Sequence, residues 1–444
     1  MIILFGCQPV LIHTDEDTQA IIEYMCSESN KVFNCAVYYA RQVYFKARRY
    51  IKKAELDEEL KTNRHFQAMH SQAAQQTCHS VFEGFKSFKA LNKLFNQGKL
   101  VDKPRLPKYR KAGLNVVSYP KQALKLMEGQ IRLPLGTKVK AWFGIDSFNI
   151  PMPGNLDFKQ IRELRILPRN QFFYAEFVYK LSSVEASLNP NNALGIDPGM
   201  DNWVTCVSTV GTSFIIDGKH VKSLNRWYNK RASTIKEGKP QGFWSKKLAQ
   251  LTEKRNCQMR DSEALASLRA SAVNKAARLV INHCLNNDIG TVVFGWNQGH
   301  KQESNLGSKN NQKWVQVPTA RLKDRISQLC EQYGVRFVET EESYTSSSSF
   351  IDGDYLPKYG EKPDNWKPSG KRVKRGLYRT ALNWYINADC NGASNILRKV
   401  ATILGLNLSG VGRVSLTAPQ RIFLWSAKRK KCSDVVLTRH ETSA

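Results

Sequence analysis

The sequence predicts a multidomain α+β protein: a β-barrel-like module with an inserted helical bundle, followed by an α/β layered domain. Three features predict it. Apolar residues recur every three or four positions through residues 14–99; short apolar runs broken by Pro and Gly fill 100–185; and beyond a polar stretch, strand-like runs give way to strand and helix in alternation. At 444 residues the chain exceeds one ordinary core, and its 41% hydrophobic content can fill several.

Taken in order, "MIILFGCQPVLI" reads as a strand, since it lacks a positive leader and Pro9 interrupts it, and not as a signal peptide. Thr14 and Asp17 have the spacing of a capping box, and Ile21, Ile22, Met25, Phe33, Val37 and Tyr44 continue a helical stripe. A second stripe from His65 to Phe95 carries Met69, Ala73, Cys78, Phe82 and Phe85, with "ELDEELKTNR" as the interruption between the two. "GQIRLPLG", "KVKAWFGI" and "IRELRILPRNQFFYAEFVY" read as strands. Because the first strand is separated from them by helices, residues 1–13 and 100–185 are expected to form the barrel and 14–99 its insertion. After the linker "SSVEASLNPNN", "ALGID", "WVTCVST" and "GTSFIID" form a meander. A very basic helical region (226–286), "GTVVFG", a helix from Thr319 to Tyr333, "VRFVET" and the helical "NADCNGASNILRKVATILGL" follow. These place a layered domain in 190–343 and 386–405, with an insert at 344–385 and a basic tail at 406–444.

The balance of 67 Lys plus Arg against 38 Asp plus Glu leaves a formal charge of +29, spread along the chain. An extended polyanion, nucleic acid first of all, is the partner such a distribution fits. No apolar run approaches the roughly 20 residues that span a bilayer, so no membrane partner is expected. Ten cysteines lie far apart, the nearest pair being Cys26 and Cys35; this fits a reducing cytoplasm and offers no C-x-x-C half-site for zinc.

In a sheet of this order, carboxylates at the C-terminal ends of neighbouring strands converge on one edge with the start of a late helix. Asp197 ends the first strand of the layered domain and Asp389 opens the last helix. Taken singly, Asp197 suits a surface turn and Asp389 a helix cap. Together they suit divalent metal. Two Mg²⁺ ions about 4 Å apart repel by roughly 17 kcal/mol at an effective dielectric near 20, so more than two carboxylates are needed.

"GIDPGMDNWVT", "KAARLVINHCLNNDIGTVVFG", "YTSSSS" and "NADCNGASNILR" resemble the RuvC-like (RNase H-like) nuclease half of the TnpB (OrfB) proteins, relatives of the compact type V CRISPR effectors. The resemblance implies a RuvC/RNase H-like nuclease domain, a Mg²⁺ two-metal site, a guide RNA, and a double-stranded DNA target with a short flanking motif. It makes Asp197 the first catalytic aspartate and Asp389 the last. This sequence departs from the family twice. Gly295 stands where the "VVFG" strand usually ends in a glutamate ligand, and no zinc knuckle follows "YTS". The next strand, "VRFVETEESYTS", offers Glu341 or Glu342 in replacement, with Glu341 preferred; Glu303 on the loop after Gly295 is the further candidate.

The resemblance further implies nucleic-acid contacts. Arg226, Trp227, Lys246, Lys247, Arg255 and Arg278 form a basic, aromatic-interleaved cluster, Lys371, Arg372, Lys374 and Arg375 a second patch, and Arg105, Lys108 and Arg110 lie where the family reads its flanking motif. The expected activity is RNA-guided, Mg²⁺-dependent DNA cleavage in the cytoplasm. A nuclease-dead RNA-guided binder and an RNA-independent transposase or resolvase are the alternatives.

Overall fold

Strand β1 (Leu4–Leu11) leads into α1 (Glu16–Ala47) through Asp15, whose carboxylate accepts the Thr18 amide at 2.8 Å. The cap expected at Thr14 thus lies one residue later. The acidic stretch read as an interruption is itself a helix, α2 (Lys53–Leu60), because Leu56 and Leu60 are buried one turn apart. Helices α3 (Arg64–Ala68) and α4 (Ser71–Asn96) complete the bundle. "KVKAWFGI", expected as a strand, is instead α5 (Thr137–Phe143), stopped by Gly144 at φ 69°.

Strands β2 (Val117–Pro120), β6 (Ile161–Arg169) and β7 (Phe172–Leu181) join β1 in an antiparallel sheet of order β1-β7-β6-β2. The β6–β7 hairpin turns at Asn170 and Gln171, both at positive φ, as a two-residue turn of this hand requires. A separate three-stranded sheet holds β3 (Lys125–Met127), β4 (Gln130–Pro134) and β5 (Ser147–Pro151). The expected barrel is not closed: among the described residues no ladder joins the edges β1 and β2. Helical residues such as Ile22, Met25 and Phe85 share one core with Val117, Leu164 and Phe177, so the sheet covers its apolar face with helices and does not curl on itself.

The structure is a computed structural model that describes residues 4–181, 184, 186–259, 272–297 and 317–425. Two compact units emerge. The first comprises the described residues of Met1–Glu185 together with those of Trp227–Ser271, which include most of α6 (Lys219–Lys236) and α7 (Lys246–Met259). The second comprises the described residues of Ala186–Arg226 and of Ala272–Ala444.

The second unit is built on β8 (Ala193–Pro198), β9 (Asn202–Ser208), β10 (Ser213–Asp217), β11 (Thr291–Gly295) and β12 (Arg336–Thr340). The meander β8-β9-β10 is antiparallel, whereas β8, β11 and β12 run parallel and in register. Helices α8 (Ala272–Asn286) and α9 (Thr319–Tyr333) make the crossovers that parallel strands need. A small sheet follows, β13 (Lys371–Lys374), β14 (Leu377–Arg379) and β15 (Tyr385–Asn387), and then α10 (Ala388–Leu404). Past α11 (Arg413–Thr417), part of the expected tail adds a sixth strand, β16 (Gln420–Ile422), giving the order β12-β11-β8-β9-β10-β16. No helix among the described residues is long and apolar enough to cross a membrane.

Candidate metal centre and nucleic-acid surfaces

Two glycines bring α10 onto β8. A Cβ at Gly195 would lie 2.6 Å from the Ala393 carbonyl oxygen, and one at Gly392 would lie 2.7 Å from Asp197 Oδ2. Close approach of helix to strand is what the missing side chains allow. Asp197 and Asp389 consequently line one cavity of about 840 Å³ with Trp296, Asn297, Glu341 and Glu342. Asp389 is not the cap of α10: Asn387 Oδ1 accepts the Asp389 and Cys390 amides at 3.0 and 3.1 Å, leaving the Asp389 carboxylate for other work.

Glu341 and Glu342 follow β12 directly and diverge. Glu341 pairs with Lys399 of α10, a lysine whose side chain is only 8% exposed. Burial would raise the Glu341 carboxyl, but the hydrogen bonds from Lys399 and Ser343 outweigh it and hold the group below its usual range. Glu342 turns to the vacated corner: a Cβ at Gly295 would meet its Cγ at 2.9 Å and its Oε1 at 3.0 Å. That Oε1 is buried without a protein partner, and burial pushes the carboxyl up to about 7. The backbone amide of Glu342 donates to Asn297 Oδ1 at 2.9 Å, which fixes the chain where it leaves the sheet. Asp197 is raised well above the usual carboxylate range, first by burial, then by the negative charges of Glu342 and Asp389, with Arg372 opposing. Three carboxylates thus share one field.

Asp389 carries protein donors on both oxygens: Asn202 Nδ2 at 2.6 Å on Oδ2 and Arg372 Nη2 at 3.4 Å on Oδ1. In this arrangement no three His, Cys, Asp or Glu side chains among the described residues are gathered into a metal cage. The donor chemistry nonetheless fits a hard divalent cation, with oxygen ligands only, an orphaned buried Oε1, and a local excess of negative charge that already raises proton affinity. Glu303 lies outside the described residues.

Hydrogen bonds hold the insert that follows "YTS". Asn391 Nδ2 and Asn395 Nδ2 donate to the Ser348 carbonyl at 2.7 and 2.8 Å, and Asn395 also reaches the Thr345 carbonyl at 2.8 Å. Asp354 Oδ2 accepts the Ser349 and Ser369 amides, at 2.7 and 3.1 Å, and Asp352 Oδ2 accepts the Ala381 amide at 2.8 Å. From this insert β13 presents Arg372, Lys371 and Lys374, all exposed, and Arg375 pairs with Asp201.

In the first unit, the segment holding Arg105, Lys108 and Arg110 is strapped along α1. Asn34 donates to the Arg110 carbonyl at 3.0 Å and accepts its amide at 2.8 Å, Asn30 holds the Lys111 carbonyl, and Arg41 the Pro107 carbonyl. Arg105 and Lys108 are exposed, and the Arg110 guanidinium lies over the Phe33 ring at 3.9 Å. Arg110 also borders a groove of about 430 Å³ that it shares with Glu83, Glu163 and Glu176, the last two paired with Arg165. On α6 and α7, Lys254 lies over the Trp227 ring at 5.5 Å and Arg255 over Tyr228 at 4.1 Å, while Lys246 and Lys247 are exposed. In the second unit Arg226 is exposed, and Arg278 donates to Tyr333 Oη at 2.7 Å. The basic tail "SAKRKK" lies outside the described residues.

Residues 176–299 match the OrfB_IS605 family model, described as a probable transposase. The fold is similar to the protein of a Cas12f1-sgRNA-target DNA complex, with a TM-score of 0.53 at 14% identity over 86% of this chain and 83% of that one. A mini-RNA-guided endonuclease, CRISPR-Cas_phi3, gives 0.39 at 11% identity over 92% and 94%; only the first is close enough to carry a comparison of fold. A search of curated proteins gave no significant match. With its motifs at one sheet edge, the chain thus carries a segment that matches the OrfB_IS605 family model, within a fold similar to that of the Cas12f1 complex protein.

Proposed function

We propose that the chain is an RNA-guided DNA endonuclease with one carboxylate-built site made of Asp197, Glu342 and Asp389. The observation that carries this reading is the Glu342 side chain, which lies over Gly295 and adds its charge to that of Asp197. Glu342 is the third ligand in preference to Glu341 because Lys399 already neutralises Glu341. Because β11 and β12 are parallel and in register, a carboxylate just past the end of β12 reaches the corner that a side chain at position 295 would fill.

The three carboxylates would hold Mg²⁺, which when bound polarises the phosphodiester and lowers the pKa of the attacking water. The residues of the chain do the rest. Asp197 and Glu342, enclosed and mutually repelling, favour any arrangement that brings positive charge between them. Arg372, half exposed at the cavity mouth, is placed to move from Asp389 to a phosphate oxygen. The exposed basic segments of each unit suit backbone contacts to an RNA–DNA duplex, and the Trp227 and Tyr228 rings offer stacking faces. The exposed Arg105 and Lys108 suit backbone contacts to the duplex that flanks the target.

The test is to sequence RNA that co-purifies with the chain, reprogram it, and assay cutting of matched duplex DNA with Mg²⁺. Programmed cutting lost in Asp197→Ala supports the proposal; guided binding without cutting supports a nuclease-dead binder, the reading favoured by the donors already on Asp389. Cutting that needs no RNA supports a transposase or resolvase.

A further inference from the structure

We propose that Asn202 is a positioning residue for Asp389, and that Arg421, from the C-terminal strand β16, sets the orientation of its amide. This rests on the reading of Asp389 as a metal ligand. Asn202 Nδ2 donates to Asp389 Oδ2 at 2.6 Å, and Asn202 Oδ1 accepts from Arg421 Nη1 at 2.9 Å. A guanidinium has donors and no acceptor. The amide beside it therefore has one favourable orientation, oxygen toward Arg421 and NH₂ toward Asp389.

Arg421 is fixed in its turn. Its Nη1 also donates to Asp217 Oδ2 at 3.1 Å, and the Asp217 side chain, 5% exposed, uses its other oxygen to accept the Lys219 amide at 2.9 Å. The sheet brings these groups together. Asp217 ends β10 opposite Asn202 of β9, and Arg421 pairs with Ile215 on the other side of β10. Asp217, Arg421, Asn202 and Asp389 thus form a continuous chain of hydrogen bonds across three neighbouring strands to the first turn of α10.

The two donors on Asp389 differ in kind. Asn202 is neutral, so it holds one oxygen without cancelling the charge that a cation needs. Arg372 is charged and 46% exposed, and it covers the other oxygen from a strand of the insert. The neutral donor can stay while the charged one withdraws, which leaves Oδ1 aimed into the cavity on a carboxylate whose orientation is already set.

Mn²⁺ titrated into the full chain without nucleic acid, with free Mn²⁺ read by electron paramagnetic resonance, tests this. Asn202→Ala and Arg421→Ala should each weaken binding by about tenfold or more, as loss of an outer-shell partner does. The double variant should be no weaker than either single one, because both break the same link. The pair Asp217→Asn with Arg421→Gln removes the guanidinium without stranding a buried charge, and should reproduce the loss at a near-native melting temperature. Native Mn²⁺ affinity in folded Asn202→Ala and in that pair, or losses that simply add, would overturn the proposal. Asp197→Asn and Asp389→Asn separate the two failures. If they too bind Mn²⁺ as the native chain does, the metal site itself is refuted; if they alone lose it, only the positioning role falls.

Discussion

Glu342→Gln and Glu341→Gln, one residue apart, should move stability in opposite directions. Burial raises the Glu342 carboxyl from 4.5 to about 7. Between those values the folded chain keeps a proton that the unfolded chain has released, so metal-free stability falls as pH rises through the window and the loss is complete above about 7. At about 1.4 kcal/mol for each tenfold change in proton affinity, the penalty reaches about 3 kcal/mol. Glutamine carries no charge, so Glu342→Gln should raise the metal-free melting temperature at pH 8 and lose that advantage near pH 4. Glu341 has the opposite sign: its lowered carboxyl stabilises the fold above its ordinary range, and the contribution is lost as pH falls. Glu341→Gln strands Lys399, 8% exposed, at a cost of about 1–3 kcal/mol once the 34% exposure of Glu341 is allowed for. Thermal melts at pH 4, 5 and 8 without divalent ions, paired with RNA-programmed cutting in Mg²⁺, check both variants. Cutting should vanish in Glu342→Gln and persist in Glu341→Gln. A folded Glu341→Gln that no longer cuts, beside a Glu342→Gln that does, would refute the assignment.

Gly295→Glu in the native background should impair cutting and stability, since its Cβ would lie 2.5 Å from Ile396 Cδ1 and 2.9 Å from Glu342 Cγ; in a Glu342→Ala background, where the second obstruction is gone, it should recover part of the cutting that Glu342→Ala loses. Gly392→Ala puts a methyl group 2.7 Å from Asp197 Oδ2, and single-turnover cutting should fall by about 10²-fold, as for a displacement near 1 Å at a reacting centre, with guide affinity unchanged. Asp354→Ala leaves the Ser349 and Ser369 amides without their acceptor and should loosen the insert by about 1–3 kcal/mol, seen as faster hydrogen exchange at those amides, while a zinc chelator leaves native exchange unaltered.

That Asp197 and Asp389 meet at one cavity was legible because each sits in a short motif whose local geometry is fixed: a strand end broken by Pro198 and Gly199, and a helix start. The strands of the meander and the parallel pair were legible from apolar runs. Which of Glu341 and Glu342 turns toward Gly295 was not, since β12 ends at Thr340 and alternation of faces stops with it. The readable signal was Gly295, whose missing side chain leaves room for a neighbour. Neither Asn202 nor Arg421 stood out as a candidate in the sequence, because they pair across strands that are distant in sequence. Nor could the pattern of apolar runs tell an open sheet under helices from a closed barrel, because both bury the same face. α5 was misread because "KVKAWF" alternates over too few residues to separate the two periods.

Two parallel strands in register, β11 and β12, finish side by side, so a functional group can migrate from one exit to the other without any change of architecture. Read along the chain, position 295 holds no acid and Glu342 stands 47 residues away; in space the Glu342 side chain overhangs that same corner. An acid absent from one strand exit is therefore to be sought beside the neighbouring exit, in three dimensions and not along the chain.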